Sequence, residues 1–235
     1  MSAKRHSIAV ILAGGSGTRL GSSTPKQLLE IAGEPILKHT LRAFSLCADI
    51  DEILLLMHAG YLDQARHIAS AYPKVSQVLP GGANRDDSTK IALDALENQD
   101  PDTVVLFHDG VRPLVDGRII ADAVKALASY DAVCVCVPTV DTIVEVDEHG
   151  EIVQVPDRSR LRRAQTPQGF RLGTISQAYR LACADPLFEG TDNCSVVLKY
   201  LPNTPIAVVN GSERNLKITR PIDVRLAQTL LQAGS

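Results

Sequence analysis

The chain has 235 residues, enough for one large α/β domain with a substantial core. Hydrophobic residues make up 45% of it, as in soluble globular proteins, and 24 basic against 27 acidic side chains give a net charge of −3. That balance excludes a general attraction to nucleic acid or anionic membrane, so an anionic substrate would need cations gathered locally. No apolar signal segment follows Met1–His6 and no apolar run approaches membrane-spanning length, which predicts a cytoplasmic protein. The five cysteines, Cys47, Cys134, Cys136, Cys183 and Cys194, form no C-x-x-C pair. Cys134 and Cys136 fall on one face of a predicted strand and read as small core residues of a reduced protein.

Apolar, β-branched runs predict strands over 7–12, 52–57, 76–79, 103–108 and 131–137. Amphipathic stretches near 35–46, 60–72, 87–98 and 117–129 lie between them. Strands separated by helices of this length imply βαβ crossovers, hence an α/β fold with a single Rossmann-like, mostly parallel sheet flanked by helices. At Thr142–Val155 the pattern changes to a β-hairpin turning at Asp147–Gly150. A hairpin projecting from such a core has little means of burying both faces, so this arm, about 138–165, is expected to pack against a second copy of the chain; the alternative is folding back on its own domain. Helices near 173–183 and 192–199, a strand at 205–210 and a helix at 221–233 complete a single domain spanning 1–235. A short strand is also expected over Asn215–Thr219.

The richest segment is Leu12-Ala13-Gly14-Gly15-Ser16-Gly17-Thr18-Arg19, followed by Pro25-Lys26-Gln27. It leaves the first strand, and its three glycines let backbone N–H groups turn toward an anion. Arg19 supplies a planar fork and Lys26 a point charge, two complementary ways to hold phosphate. The spacing is neither the P-loop G-x-x-x-x-G-K-[ST] nor the dinucleotide G-x-G-x-x-G. Gly81-Gly82 makes a second glycine turn, against which a base can lie, feeding a helix that Asp87 or Ser88 can cap. His108-Asp109-Gly110-Val111-Arg112-Pro113 ends the most hydrophobic strand. Asp109 there is placed to hold Mg²⁺ beside phosphates and Arg112 either holds a sugar phosphate or positions Asp109, the alternative being a turn with an Asp–Arg surface pair; His108 reads as structural or as a support behind the residues that touch substrate. Arg158, Arg160, Arg162 and Arg163 concentrate positive charge that wants an anion, either a phosphorylated substrate or a facing acidic surface, a solvated face being the alternative for Arg160, Arg162 and Arg163; Lys217 can reach the same rim. Phosphate nests, cations and one or two acids suit nucleotidyl transfer, where a phosphate dianion attacks and no general base is required.

Ala13–Arg19, Pro25–Gln27, Gly81-Gly82-x-x-Arg85-x-x-Ser88, His108–Pro113, Asp157-Arg158, Gln165–Gln168 and Asn215–Thr219 occur in the order found in the 2-C-methyl-D-erythritol 4-phosphate cytidylyltransferase family, which the chain resembles over nearly its whole length. The sister group is ribitol-5-phosphate cytidylyltransferase. The resemblance implies a fold of the nucleotide-diphospho-sugar transferase type, a homodimer, Mg²⁺, and the reaction of CTP with a polyol phosphate. It implies catalytic roles for Arg19 and Lys26, and a cytidine seat built from Ala13, Gly14, Gly15, Ser16, Gly17, Gly82 and Ser88. Asp109 is implied at the ribose and metal. Arg112, Arg158, Thr166 and Lys217 are implied at the acceptor, with Thr142 from the other subunit's arm. Gly14, where methylerythritol enzymes usually carry alanine, looks more like the ribitol group, as does Asp141–Glu145. Asp157-Arg158-Ser159 and Gly211-Ser212-x-x-Asn215 look like the methylerythritol type, which is the acceptor expected here. Two further alternatives are a nucleotidyltransferase using another NTP or acceptor, such as hexose 1-phosphate, disfavoured by the short chain, and a binding protein without turnover, disfavoured because Arg19, Lys26 and Asp109 are all present.

Overall fold

The computed structural model describes residues 5–15 and 24–233. Strand β1 (Ser7–Ala13) leads through two short strands, β2 (Glu30–Ile31) and β3 (Glu34–Pro35), into helix α1 (Ile36–Leu46). Then follow β4 (Glu52–Met57), α2 (Leu62–Ala69), β5 (Val75–Pro80), α3 (Arg85–Ala95), β6 (Val104–Asp109), α4 (Gly117–Ala126) and β7 (Ala132–Pro138). The expected crossovers are all present. Next come β8 (Glu145–Val146), β9 (Ile152–Gln154), β10 (Arg162–Arg171), α5 (Leu172–Cys183), α6 (Asn193–Tyr200), β11 (Ile206–Asn210) and α7 (Pro221–Gln232).

Seven strands form one sheet in the order β11-β7-β10-β6-β1-β4-β5. Its pairs are parallel except those of β10, which runs antiparallel to both β6 and β7. Both faces are covered, which is why β1 reads as a continuous apolar run. Ala9 and Ile11 join Leu37, Phe44, Leu106 and Ile119 in one core. Ile8 and Val10 join Phe107, Phe170, Ile175 and Val197 in the other. Cys134, Cys136 and Cys194 belong to this second core, as small apolar residues do.

Four expectations need correction. Strand β10 lies centrally in the sheet yet lacks a strand signature, because Arg162-Arg163-Ala164-Gln165-Thr166-Pro167 offers no apolar alternation and a proline cannot donate to a ladder. The ladder accommodates this by shifting register between Ala164 and Gln168. Asn215–Thr219 is not a strand, since a backbone hydrogen bond from Ile218 N–H to the Val111 carbonyl (2.9 Å) does not extend into a ladder. The hairpin is shorter than expected, β8 pairing with β9 over a few residues, with Gly150 taking the positive φ (+82°) of its turn. Helix α3 is capped by Asn84, whose side chain accepts the Asp87 N–H at 2.8 Å, rather than by Asp87 or Ser88.

Phe170 is fully buried on β10, edge-on to Phe107 with ring centroids 6.1 Å apart. Phe170→Ala is expected to cost about 3–5 kcal/mol. Urea unfolding should show a lower midpoint at an unchanged slope.

Candidate active site

The carboxyl ends of β1, β5 and β6 meet at one rim, as ligand sites in such sheets do. The chain leaving β1 is held by Gln27, whose buried Nε2 donates to the carbonyls of Ala13 (2.8 Å) and Gly15 (3.0 Å). The two glycine turns touch backbone to backbone: a Cβ on Gly14 would lie 3.1 Å from Gly81 Cα, and one on Gly81 would lie 2.7 Å from Gly14 Cα. Any side chain at Gly81 would force these turns apart. The Ser88 hydroxyl accepts the Gly82 N–H (3.0 Å) and donates to the Asn84 carbonyl (2.9 Å), so it shapes the second turn instead of capping the helix.

Of the expected site residues, Gly14, Gly15, Lys26, Gly82, Ser88, Asp109 and Lys217 line one cavity of about 240 Å³. Ala13 is fully buried at the end of β1. Ser16, Gly17 and Arg19 lie outside the described residues. Among the described residues, three cations (Lys26, Arg85 and Lys217) and one carboxylate (Asp109) line the cavity, an excess that suits a polyanion.

Asp109 is where these charges meet. Its carboxylate lies 3.1 Å from Lys217 Nζ, 3.3 Å from Arg112 Nε and 3.6 Å from Arg85 Nη1. Burial alone would raise its pKa, but Arg85, then Lys217 and Arg112, hold it far below the usual carboxylate range. It is therefore a permanent anion and a hard oxygen donor. Among the described residues no group of three or more His, Cys, Asp or Glu is arranged to cage a metal. A divalent cation that takes most of its ligands from phosphates and water needs only one or two carboxylates, and Asp109 supplies one.

A second cavity of about 170 Å³ shares Arg85, Asp109 and Lys217 with the first and adds Arg112, Thr166 and Gln168. Arg112 is buried and donates from Nη1 to the Asn215 carbonyl at 2.8 Å, so of its two expected roles the geometry serves the positioning of Asp109. Buried Thr166 accepts the Asp109 N–H at 3.1 Å. Arg158 and Thr142 are not brought to these cavities within one chain. Arg158 is exposed, donates to the Val140 carbonyl at 3.0 Å, and lines a separate cavity with Thr139, Ser159 and Arg162. Thr142 is exposed on the segment before β8.

Arg85 faces Asp109 from the first turn of α3, and its buried Nη1 has no hydrogen-bond partner. The motif Gly81-Gly82-x-x-Arg85-x-x-Ser88 by itself assigns Arg85 no role, and the same holds for Gln27 and Asn215 in theirs. The proximity of Arg85 to Asp109 depends on the packing of α3 across β1, the strand beside β6, which spacing along the chain does not express.

The family model for 2-C-methyl-D-erythritol 4-phosphate cytidylyltransferase matches residues 7–233. A Thermobifida fusca protein of that name is 47% identical, the match covering 96% of this chain and 93% of the relative. A Haemophilus influenzae protein, bifunctional ribulose 5-phosphate reductase/CDP-ribitol pyrophosphorylase Bcs1, is 41% identical over 99% of this chain, which spans only 49% of that protein. The crystal structure of 4-diphosphocytidyl-2C-methyl-D-erythritol synthase from Anaerococcus prevotii superposes with a TM-score of 0.85 at 28% identity, covering 97% of each chain. A full-length family match, a close relative and a shared fold, together with a cation-lined rim at the glycine turns, place this chain in the 2-C-methyl-D-erythritol 4-phosphate cytidylyltransferase family.

Proposed function

We propose that the chain transfers the cytidylyl group of CTP to 2-C-methyl-D-erythritol 4-phosphate, a step toward isoprenoid precursors carried out in the cytoplasm. The observation that carries this is the cavity where two touching glycine turns face Lys26, Arg85 and Lys217 around one ionised Asp109. An oxygen of the acceptor phosphate attacks the α-phosphorus, and the bond from that phosphorus to the bridging oxygen of pyrophosphate breaks. The nucleophile is already an anion, so the residues have only to align two polyanions and neutralise charge that develops on the α-phosphoryl oxygens and the leaving group.

In this reading Lys26 and Arg19 hold the triphosphate, and residues 13–17 with Gly82 and Ser88 seat the cytidine. Asp109 faces the ribose and would hold the Mg²⁺, whose charge would offset that of the triphosphate. Lys217 and Arg158 hold the acceptor phosphate, with Arg112 and Thr166 behind them and the partner subunit's Thr142 completing the site. Asp157 accepts the Ser159 N–H at 2.9 Å and so shapes the short turn that carries Arg158.

The arm supports a homodimer. Val140, Ile152, Val153 and Val155 are 71%, 63%, 58% and 59% exposed, a run of apolar side chains that a second copy would cover. Among the described residues no helix is long and apolar enough to cross a membrane.

Pyrophosphate release with CTP and Mg²⁺ should be faster with methylerythritol 4-phosphate than with D-ribitol 5-phosphate. The reverse order would move the assignment to the ribitol group. Lys26→Ala should keep its fold by circular dichroism and lose about two orders of magnitude in kcat, the scale of removing one preorganised charge. Sedimentation should give a dimer for the wild-type chain and monomers for Ile152→Asp with Val153→Asp; a wild-type monomer would remove the arm from the site.

A further inference from the structure

His108 has no role in the chemistry set out above, yet its position has a cost. The ring is fully buried beside Phe44, with centroids 4.8 Å apart, and lines neither cavity. A phenyl ring would fill that space without burying two polar atoms. Both nitrogens are used. Nε2 lies 3.3 Å from the Arg112 carbonyl, and Nδ1 lies 3.0 Å from Thr166 Oγ1.

These partners fix the protons. A carbonyl oxygen only accepts, so Nε2 carries the hydrogen; in a neutral imidazole Nδ1 is then a bare acceptor. The ring is fully buried, away from the water that would solvate a cation, which favours its neutral form. The Thr166 hydroxyl must therefore donate to Nδ1, which turns its own lone pairs toward the Asp109 N–H at 3.1 Å. Arg112 N–H donates to the Asp109 carbonyl (3.0 Å) and Arg112 Nε to the Asp109 carboxylate (3.3 Å), closing a ring of hydrogen bonds. Asn215 clamps it from outside, donating from Nδ2 to the Thr166 carbonyl and accepting Arg112 Nη1 at its own carbonyl, each at 2.8 Å.

We propose that His108, as its Nε2–H tautomer, is a positioning residue for nucleotidyl transfer: through Thr166 and Arg112 it grips both ends of the Asp109–Arg112 turn and so sets the direction in which the Asp109 carboxylate faces the nucleotide. This rests on the reading of the first cavity as the CTP site. The imidazole is selected over an apolar ring because one side of it must donate and the other accept. Neighbouring bonds from Gly110 N–H to the Leu12 carbonyl (2.8 Å) and from Thr40 Oγ1 to the Gly110 carbonyl (3.1 Å) hold the middle of the same turn, while His108 acts at its two ends.

Two measurements test this. In the full chain labelled with ¹⁵N-histidine, the His108 ring should show a protonated Nε2 and an unprotonated, hydrogen-bonded Nδ1; the opposite tautomer would overturn the relay. His108→Phe keeps an aromatic ring beside Phe44 while removing both hydrogen bonds. If it folds, its KM for CTP at saturating Mg²⁺ should rise about tenfold, as when a residue supporting a site ligand is lost. A merely structural role would reduce the folded fraction and lower apparent kcat with KM unmoved, and that result would overturn the proposal. His108→Asn, whose amide oxygen can accept from Thr166, should recover part of the KM; equal KM values for the two variants would also count against it. If neither variant folds, the wild-type tautomer decides. A wild-type chain that does not turn over CTP would sink the functional reading, while the ring nitrogens would still report on the relay.

Discussion

The buried carboxylate of Asp109 is the group on which the site depends. Arg85, Arg112 and Lys217 come from three separate parts of the chain, α3, the turn after β6 and the segment before α7, and each is drawn to the same two oxygens. Removing one partner of a buried, paired charge typically costs about 3–5 kcal/mol, because the remaining charges are left uncompensated away from water. Asp109 therefore keeps these three positive side chains at close quarters without their mutual repulsion opening the cavity. A polyanion entering the cavity meets cations already gathered in place, so little charge has to be reorganised when the reaction begins.

The remaining architecture serves this cluster by making its surroundings rigid. Gln27 ties the end of β1 to the turn at Lys26, and Gly14 lies directly on Gly81, so the two glycine turns cannot move independently. Behind Asp109, Thr166 and Asn215 link the turn after β6 to the irregular part of β10 and to the segment carrying Lys217. The shift of register in β10 has a use here: it brings the buried polar side chains Gln165, Thr166 and Gln168 to the edge of the second cavity, where a regular ladder of apolar residues would offer no such donors and acceptors.

The pattern of the sequence was sufficient wherever a segment is held by local periodicity. Strand Glu52–Met57 and helix Ile36–Leu46 match their apolar patterns nearly residue for residue, because both faces of the sheet are buried and each helix needs one apolar stripe. It was insufficient for β10, whose neighbours β6 and β7 supply the ladder that its own residues do not advertise. It also misplaced the cap of α3, since Asn84, Asp87 and Ser88 are all competent side chains and only the backbone path chooses among them.

The sequence by itself determined the alternation of strands and helices, the convergence of three strand ends on one rim, and the residue types gathered there. Periodicity and the conformational needs of glycine act within a few residues of one another, so they can be read along the chain. Only the tertiary structure decided which cation faces which anion. Arg112 bonding the Asn215 carbonyl, Lys217 reaching Asp109 and His108 reaching Thr166 join residues 58 to 108 positions apart, and nothing in local spacing encodes such a meeting. It follows from how the sheet orders its strands, with β10 set beside β6, and that order is settled by packing both faces of the sheet at once.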